Sequence, residues 1–244
     1  MGVGASNVTL LFADTKVEDP DLYRFLASAA RSLYADLVIV ADGRTPFEVF
    51  HDRRFLGNSR QANCSTELKQ KPCREWLDEN ANEDTIVYVG IDWSEEHRMP
   101  GIVKGWAPYE VRAPLCHRPF LSKDDVTAWA KTERLRPPRA YAEGFPHNNC
   151  LQQGCVRGGQ AYWALLLRTR PDAYAYAESE EEKLRVHLGA NVAILKDRTG
   201  GTTTPWTLRG FRESIQHQGS MFDTDEWGGC GCFTDEPATA GIPA

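Results

Sequence analysis

The sequence predicts an α/β domain with a mainly parallel sheet. Three continuous apolar runs are typical of strands that are buried on both faces, and helix start signals lie between them. The runs are Val8–Ala13, Leu37–Ala41 and Thr85–Ile91. Because strands and helices alternate at these intervals, the strands are expected to run parallel.

The helix start signals in the first half are specific. Asp19 precedes Pro20, an arrangement in which aspartate is the N-cap and proline takes the first helical position. The run Thr45–Glu48 has the spacing of a capping box, and a further helix is predicted over Glu67–Glu79. Polar residues follow each strand, where ligands of parallel sheets bind. They are Asp14-Thr15, Asp42-Gly43 and Asp92-Trp93.

The later half is predicted to be mostly helical. Ser122–Asp125 is a second capping box. An amphipathic run covers Gln160–Arg170, and Pro171 separates it from the next helical stretch. A hairpin is predicted within residues 191–208. The predicted parts of the chain are an α/β core over 1–118, a helical, cysteine-containing part of the same domain over 119–233, and a disordered tail over 234–244.

Composition and charge exclude several classes of protein. The chain has 244 residues, of which 25% are charged, and its formal net charge is −6. A uniformly basic surface for coating nucleic acid is therefore not expected, although a local basic patch is compatible with this charge. No apolar run approaches membrane-spanning length, and the first residues lack the pattern of a secretion signal. A soluble cytoplasmic protein with no membrane partner is predicted.

The most informative segment is the loop His147–Gly159, which holds two thiols and an imidazole. Cys150 and Cys155 have four residues between them, at the wide end of the spacing in metal-ligand loops, and they can also pair in a redox reaction. Cys73 and Cys116 are expected to be buried small hydrophobic residues. The other cysteines near polar or glycine-rich turns are Cys64, Cys230 and Cys232. This clustering favours metal, iron–sulfur or redox chemistry over structural disulfides.

Several segments between Thr9 and Arg185 form a family pattern. They are Leu11–Thr15 with Glu18 and Asp21–Tyr23, Cys64-Ser65 with Leu68-Lys69 and Pro72, Gly90–Trp93 with Glu95, Glu96 and Arg98, and Pro138–Tyr141 with Gly144-Phe145, His147–Cys150 and Cys155–Gln160. In order and spacing they resemble the phosphoadenosine-phosphosulfate (PAPS) reductase-like family, in its phage and bacterial branch. That resemblance implies the adenine-nucleotide alpha-hydrolase fold of PP-loop pyrophosphatases, a Rossmann-like, three-layer, mainly parallel sheet, here with a helical C-terminal part.

The resemblance also implies an adenine-nucleotide site, with ATP or PAPS as the ligand. Asp14 and Thr15 lie at the strand end that holds the adenosine part in this fold. The predicted phosphate or sulfate contacts are Arg60, Lys69 and Arg157.

Relatives with this fold hold an iron–sulfur cluster through cysteines, and Cys64, Cys150 and Cys155 fall at similar positions. We expect these three, with Cys232 or Cys230, to surround an iron–sulfur cluster or a zinc ion, since thiolate softness permits both. Reductases of the family also carry a C-terminal nucleophilic cysteine, so Cys230 or Cys232 is the predicted catalytic thiol. Only the Cys-Gly of that segment is present, and the neighbouring residues are acidic, which disfavours a thiolate.

The N-terminus departs from the family. Relatives begin with a phosphate-binding loop and a helix, but residues 1–6 alone precede Asn7, fewer than the about 10–14 residues of an ordinary helix. Without a helix N-terminus a phosphate site loses donors and dipole. The leading prediction is a PAPS reductase-like enzyme of sulfur transfer or reduction, with a nucleic-acid substrate or a thioredoxin-like reductant as partner. The alternative is a truncated, inactive relative that binds a nucleotide or a metal.

Overall fold

A computed structural model describes residues 7–198, 201–218 and 226–228. These residues form a mixed α/β structure in which helices predominate and the strands lie in two-stranded sheets. No helix in these ranges is long and apolar enough to cross a membrane. The predicted tail over 234–244 lies outside the described residues, as do Cys230 and Cys232.

The first parallel strand pair lies where the sequence predicts it. Strand β1 (Thr9–Ala13) pairs in parallel with β2 (Asp36–Val40). Helix α1 (Pro20–Leu33) joins them, and its N-cap is Asp19, whose side chain accepts a hydrogen bond from the Asp21 amide. The predicted strands, cap and parallel direction are therefore confirmed in this unit.

A long helical stretch follows α2 (Pro46–Arg53), which begins with the predicted capping box of Thr45 and Glu48. Its consecutive segments are α3 (Asn63–Ser65), a π-helical turn (Thr66–Gln70) and α4 (Lys71–Asn80). The helix predicted over 67–79 is confirmed and begins earlier. Single π-helical turns are frequent at functional sites, and this turn carries Lys69.

Residues 86–116 form a second, smaller group of elements. They are β3 (Ile86–Tyr88), a 3₁₀ helix (Trp93–Arg98), α5 (Met99–Trp106), β4 (Glu110–Arg112) and a 3₁₀ turn (Pro114–Cys116). Strands β3 and β4 pair in parallel. This group has a small core of its own, formed by Ile91, Ile102, Ala113 and Cys116. Only β3 of these elements is indicated by the sequence patterns.

The later half is mostly helical, as predicted. Its elements are α6 (Lys123–Thr132), α7 (Arg139–Ala142), α8 (Gln160–Thr169), α9 (Pro171–Leu188), β5 (Leu195–Asp197), β6 (Thr204–Trp206) and α10 (Leu208–Gln218). The capping box at Ser122 is present. Strands β5 and β6 pair antiparallel, which confirms the hairpin.

The main hydrophobic core is built around α8 and α9. Its large, fully buried side chains come from both halves of the chain: Phe47, Phe50, Tyr162, Trp163, Tyr174 and Phe211. Because these side chains form one cluster, α2 packs with the later helices. The division of the chain at residues 118 and 119 stays a prediction.

The described residues do not form the extended three-layer sheet that the resemblance implies. Instead, β1–β2, β3–β4 and β5–β6 are separate two-stranded sheets. The apolar runs overstated the burial of the strands, since Val8, Ile39 and Tyr88 are 46%, 50% and 61% exposed. Strands β3 and β4 have three residues each, which is short for a sheet strand and provides few ladder hydrogen bonds. The α/β class is confirmed in this coarser form.

Candidate functional site

The carboxyl end of β1 presents two of the predicted nucleotide-binding residues, Asp14 and Thr15. The Asp14 amide donates a hydrogen bond to the Val40 carbonyl (2.8 Å), which holds this strand end against β2. The Asp14 carboxylate accepts hydrogen bonds from the Tyr23 hydroxyl (2.7 Å) and the Lys16 amide (2.8 Å). Burial raises the pKa of this carboxyl, but these hydrogen bonds outweigh it, so the pKa is lowered. Asp14 is therefore ionised and fixed in orientation.

A fully buried glutamate, Glu18, connects this strand end to two other segments. Its carboxylate accepts hydrogen bonds from the Thr15 hydroxyl (2.9 Å) and the Cys150 amide (2.6 Å). The Lys69 ammonium lies 3.6 Å from the same carboxylate. Glu18 thus joins β1, the π-helical turn and the loop of residues 147–159, here called the thiol loop. Glu18 belongs to the residues that carry the family resemblance, but its position in the sequence predicts no role for it. The signal in the sequence is an acidic residue between a strand and a helix cap.

The thiol loop places Cys150 and Cys155 next to each other. Cys150 is buried with a φ of 55°, and its sulfur lies 3.7 Å from the Thr15 hydroxyl oxygen. Its side chain is hydrogen-bonded to the side chain of Cys155; that bond, burial and the charge of Glu18 raise the pKa of the Cys150 thiol. Cys155 is half-buried, and its amide donates to the Tyr162 hydroxyl (3.0 Å).

The thiol loop also contains buried polar atoms that have no hydrogen-bond partner among the described residues. They are both ring nitrogens of His147 and the side-chain amide nitrogen and oxygen of Asn148 and of Gln153. The His147 ring stacks on Tyr162, with 5.2 Å between ring centres. Burial, reinforced by nearby lysines, lowers the pKa of His147 to about 4. Buried polar groups in proteins usually bond to protein, water or a ligand, so these side chains mark a place suited to a polar ligand.

The predicted phosphate contacts occupy two places. Lys69 pairs with Glu18, and its positive charge acts on the Cys150 thiol. Arg157 instead donates to the Arg60 carbonyl (3.1 Å), which ties the thiol loop to the chain ahead of α3. The side chain of Arg60 is exposed. The structure therefore brings Lys69 to the thiol pair and joins Arg157 to Arg60.

The predicted metal ligands are brought together only in part. Cys150 and Cys155 are in contact, and Cys64 packs against the same main core as Cys155. In the part of the chain that the structure describes, no group of three or more histidine, cysteine, aspartate or glutamate side chains is placed to hold a metal ion. Cys230 and Cys232 lie outside that part. The two thiols in contact have the softness that zinc or an iron–sulfur cluster requires, but they do not make a complete ligand set.

A short C-terminal segment, Glu226–Gly228, lies against the end of the thiol loop. Gly228 forms a β-bridge with Gly158. The Gly159 amide and an amide in the first turn of α8 donate to carbonyls of this segment, at 3.0 Å each, so the segment caps the helix. A Cβ at Gly159 would lie 2.0 Å from the Glu226 carbonyl oxygen. This contact was not predicted, because it joins residues distant in sequence.

The site as a whole places two thiols at the carboxyl end of a parallel strand pair. Such thiols can bind a soft metal or exchange with a disulfide, and ligands of parallel α/β proteins bind at strand ends. No protein-family model matches this chain, and no curated protein matches it either. The geometry and the sequence pattern are therefore the grounds for assigning a function.

Proposed function

We propose that this chain is a PAPS reductase-like enzyme of sulfur transfer or reduction that binds an adenine nucleotide. The observation that carries the proposal is the position of Cys150 and Cys155, which Thr15 and Glu18 hold at the carboxyl end of β1. Two adjacent thiols can hold a soft metal or take part in thiol–disulfide exchange, and the strand end is the expected ligand position. The proposal includes the adenine-nucleotide alpha-hydrolase fold, with β1 and β2 in its nucleotide-binding sheet.

The nucleotide, ATP or PAPS, is proposed to lie across the ends of β1 and β2. The Asp14 carboxylate is ionised there and accepts hydrogen bonds from ribose or base donors, while the Thr15 hydroxyl adds a polar contact. Lys69 supplies positive charge for a phosphate or sulfate group, and Arg60 and Arg157 add charge in the adjoining loops.

Cys64, Cys150, Cys155 and Cys232 are the proposed ligands of an iron–sulfur cluster or a zinc ion. Donor chemistry fits at Cys150 and Cys155, but the described residues do not complete the set, so no reaction step is assigned to the group. When bound, it would supply electron transfer or Lewis-acid polarisation. Cys230 or Cys232 is the proposed attacking thiol, with a nucleic acid or a thioredoxin-like reductant as the partner.

Calorimetric titration with ATP and with PAPS tests the nucleotide site. We expect binding heat for at least one of them, and an affinity at least about tenfold weaker in Asp14→Asn and Lys69→Gln, since each removes a charge at the strand end. Asp92→Asn is the matched control in the chain that follows β3, because asparagine also caps a helix, and we expect it to bind as the unchanged chain does.

Titrations without heat for both nucleotides would contradict the nucleotide part of the proposal. If Asp92→Asn lost as much affinity as Asp14→Asn, the assignment of the nucleotide to the end of β1 would be wrong. The same protein, purified without oxygen, is assayed for iron and zinc. If neither iron nor zinc is present above trace amounts, the metal part of the proposal is excluded. In that assay Cys116→Ser is the control for Cys150→Ser.

A second candidate function is supported by one observation. The pKa of the Cys150 thiol is raised by its bond to Cys155 and by burial, and a protonated thiol is a poor metal ligand, which disfavours the cysteine-bound centre of the enzyme. The chain would then be an inactive relative that binds a nucleotide or a metal without turnover. PAPS binding without release of sulfite, in the presence of a dithiol reductant, favours this candidate over the enzyme.

A further inference from the structure

The thiol pair of Cys150 and Cys155 is brought together by the local turn of the chain, independently of any nucleotide. The side chains of Cys150 and Cys155 are hydrogen-bonded to each other, and the residues between them turn tightly. The Gln153 amide donates to the Cys150 carbonyl (3.2 Å), and Gly154 takes a φ of 79°. These turns reverse the direction of the chain, so that the Cys155 sulfur lies next to the Cys150 sulfur.

Hydrogen bonds from the rest of the fold hold both ends of this turn. The Cys150 amide donates to the Glu18 carboxylate (2.6 Å), and the Cys155 amide donates to the Tyr162 hydroxyl (3.0 Å). Both acceptor residues are fully buried. The approach of the two sulfurs is therefore imposed by the fold itself.

The two sulfurs differ in their access to solvent. Cys150 is 6% exposed, whereas Cys155 is only half-buried. A dissolved oxidant therefore meets Cys155 first, and Cys150 lies behind it. An accessible thiol next to a second, resolving thiol is the arrangement found in redox-sensitive proteins.

The geometry points to a reversible disulfide between Cys150 and Cys155, formed when the protein meets hydrogen peroxide. The Cys155 sulfur attacks a peroxide oxygen, the O–O bond breaks, and a sulfenic acid and water result. The Cys150 sulfur then attacks the Cys155 sulfur, the S–O bond breaks, and the leaving hydroxide takes the Cys150 proton as water. In sum, two thiols lose two hydrogen atoms, one peroxide becomes two waters, and a dithiol reductant reverses the change.

Disulfide formation alters the strand end as well. The Cys150 sulfur lies 3.7 Å from the Thr15 hydroxyl in the reduced chain. A disulfide requires the two sulfurs to lie about 2.05 Å apart, so the Cys150 sulfur turns towards Cys155 and away from Thr15. The effect on nucleotide affinity rests on the proposed function, whereas the disulfide does not.

Peptide mass spectrometry after peroxide treatment of the full chain tests the disulfide. Cleavage after Arg139 and Arg157 yields one tryptic peptide with both thiols. We expect this peptide to lose two hydrogen atoms and to regain them with a dithiol reductant. Cys73 and Cys116 lie in other peptides and are expected to remain as thiols, since neither is next to a second thiol in the described contacts; a small thiol oxidised in parallel shows that the peroxide is active.

Two variants separate the roles of the sulfurs. Cys150→Ser removes the resolving thiol, so the loss of two hydrogens is abolished and a dimedone adduct of the sulfenic acid accumulates at Cys155. Cys155→Ser leaves Cys150 unmodified, because it is buried. The proposal is overturned if the unchanged chain keeps both thiols free, or if Cys155 pairs with another cysteine. If the disulfide forms but neither nucleotide gives binding heat, the proposed function is wrong and the disulfide proposal stands.

Discussion

Two cysteines lie beside the two parallel strand pairs, and their surroundings differ. Cys116 lies next to the chain that follows β3, where its thiol donates to the carbonyls of Ile91 and Asp92, at 3.6 and 3.4 Å. Cys150 lies at the end of β1, where its sulfur contacts Thr15 and a second thiol. Both thiols are buried and both have a raised pKa, to which burial contributes.

The difference lies in the partners of each thiol. Cys116 bonds to backbone carbonyls within a small apolar core, which confirms the expectation that it is a buried small residue. Cys150 is linked to the Glu18–Lys69 pair through its amide and to Cys155 through its side chain. Burial beside a strand pair is therefore not enough to indicate a functional cysteine; a second thiol and the Glu18–Lys69 ion pair distinguish the site at β1.

Removal of the buried carboxylate is expected to have the largest effect on this comparison. Glu18→Ala leaves the Cys150 amide and the Thr15 hydroxyl without the carboxylate as their acceptor and removes the carboxylate that lies 3.6 Å from the Lys69 ammonium. We expect it to lower the free energy of unfolding by about 3–5 kcal/mol, measured by urea denaturation. Asp92→Ala, in the chain that follows β3, removes only the cap of the 3₁₀ helix and is expected to cost about 1 kcal/mol.

Glu18→Gln serves as a second control, since it keeps the shape and one acceptor while removing the charge. Its loss in the free energy of unfolding should lie between those of Glu18→Ala and Asp92→Ala. Equal losses for Glu18→Ala and Asp92→Ala would contradict the idea that the two strand ends differ.

Local signals in the sequence were sufficient for most elements but not for the sheet or the site. Asp19-Pro20 and the capping boxes act within four residues, so their helices were predicted correctly. The number of strands in a sheet depends on pairing between segments that are distant in sequence, which local patterns do not contain. The apolar run at β3 likewise did not indicate that Tyr88 is exposed. The contact of Cys150 with Cys155 followed from spacing, whereas the role of Glu18 depends on three separate segments.

The second prediction concerns a glycine that is also a long-range contact. In Gly159→Ala the new methyl group meets the Glu226 carbonyl oxygen at 2.0 Å, so the segment over 226–228 must move away from α8. We expect a loss of about 3 kcal/mol in the free energy of unfolding, from overpacking and lost caps. Gly90→Ala is the control near β3, where no atom lies within 4 Å of the new methyl group, and it is expected to be neutral or slightly stabilising. Similar urea midpoints for both variants would show that the segment does not support the thiol loop.

The smallest expected effect is a dependence on pH that comes from His147. Its pKa of about 4 in the folded chain, caused mainly by burial, lies below the ordinary value of about 6.5. Between these values the unfolded chain binds more protons, so the stability is full above pH 6.5 and falls as the pH drops towards 4. We expect a loss of about 1–2 kcal/mol between pH 7 and pH 5 from this group.

His147→Phe keeps a ring against Tyr162 but removes the titration, so between pH 7 and pH 5 the variant should lose about 1–2 kcal/mol less stability than the unchanged chain. His117→Phe replaces an exposed ring that follows Cys116 and keeps His147, so the His147 contribution should be present in full. Glu181 contributes in the opposite direction, because burial raises its pKa to about 7, but this contribution is common to all three proteins and cancels in the difference. Parallel pH profiles for His147→Phe and the unchanged chain would mean that the imidazole is hydrated, and the thiol loop would then be as open to water as the surface near β3.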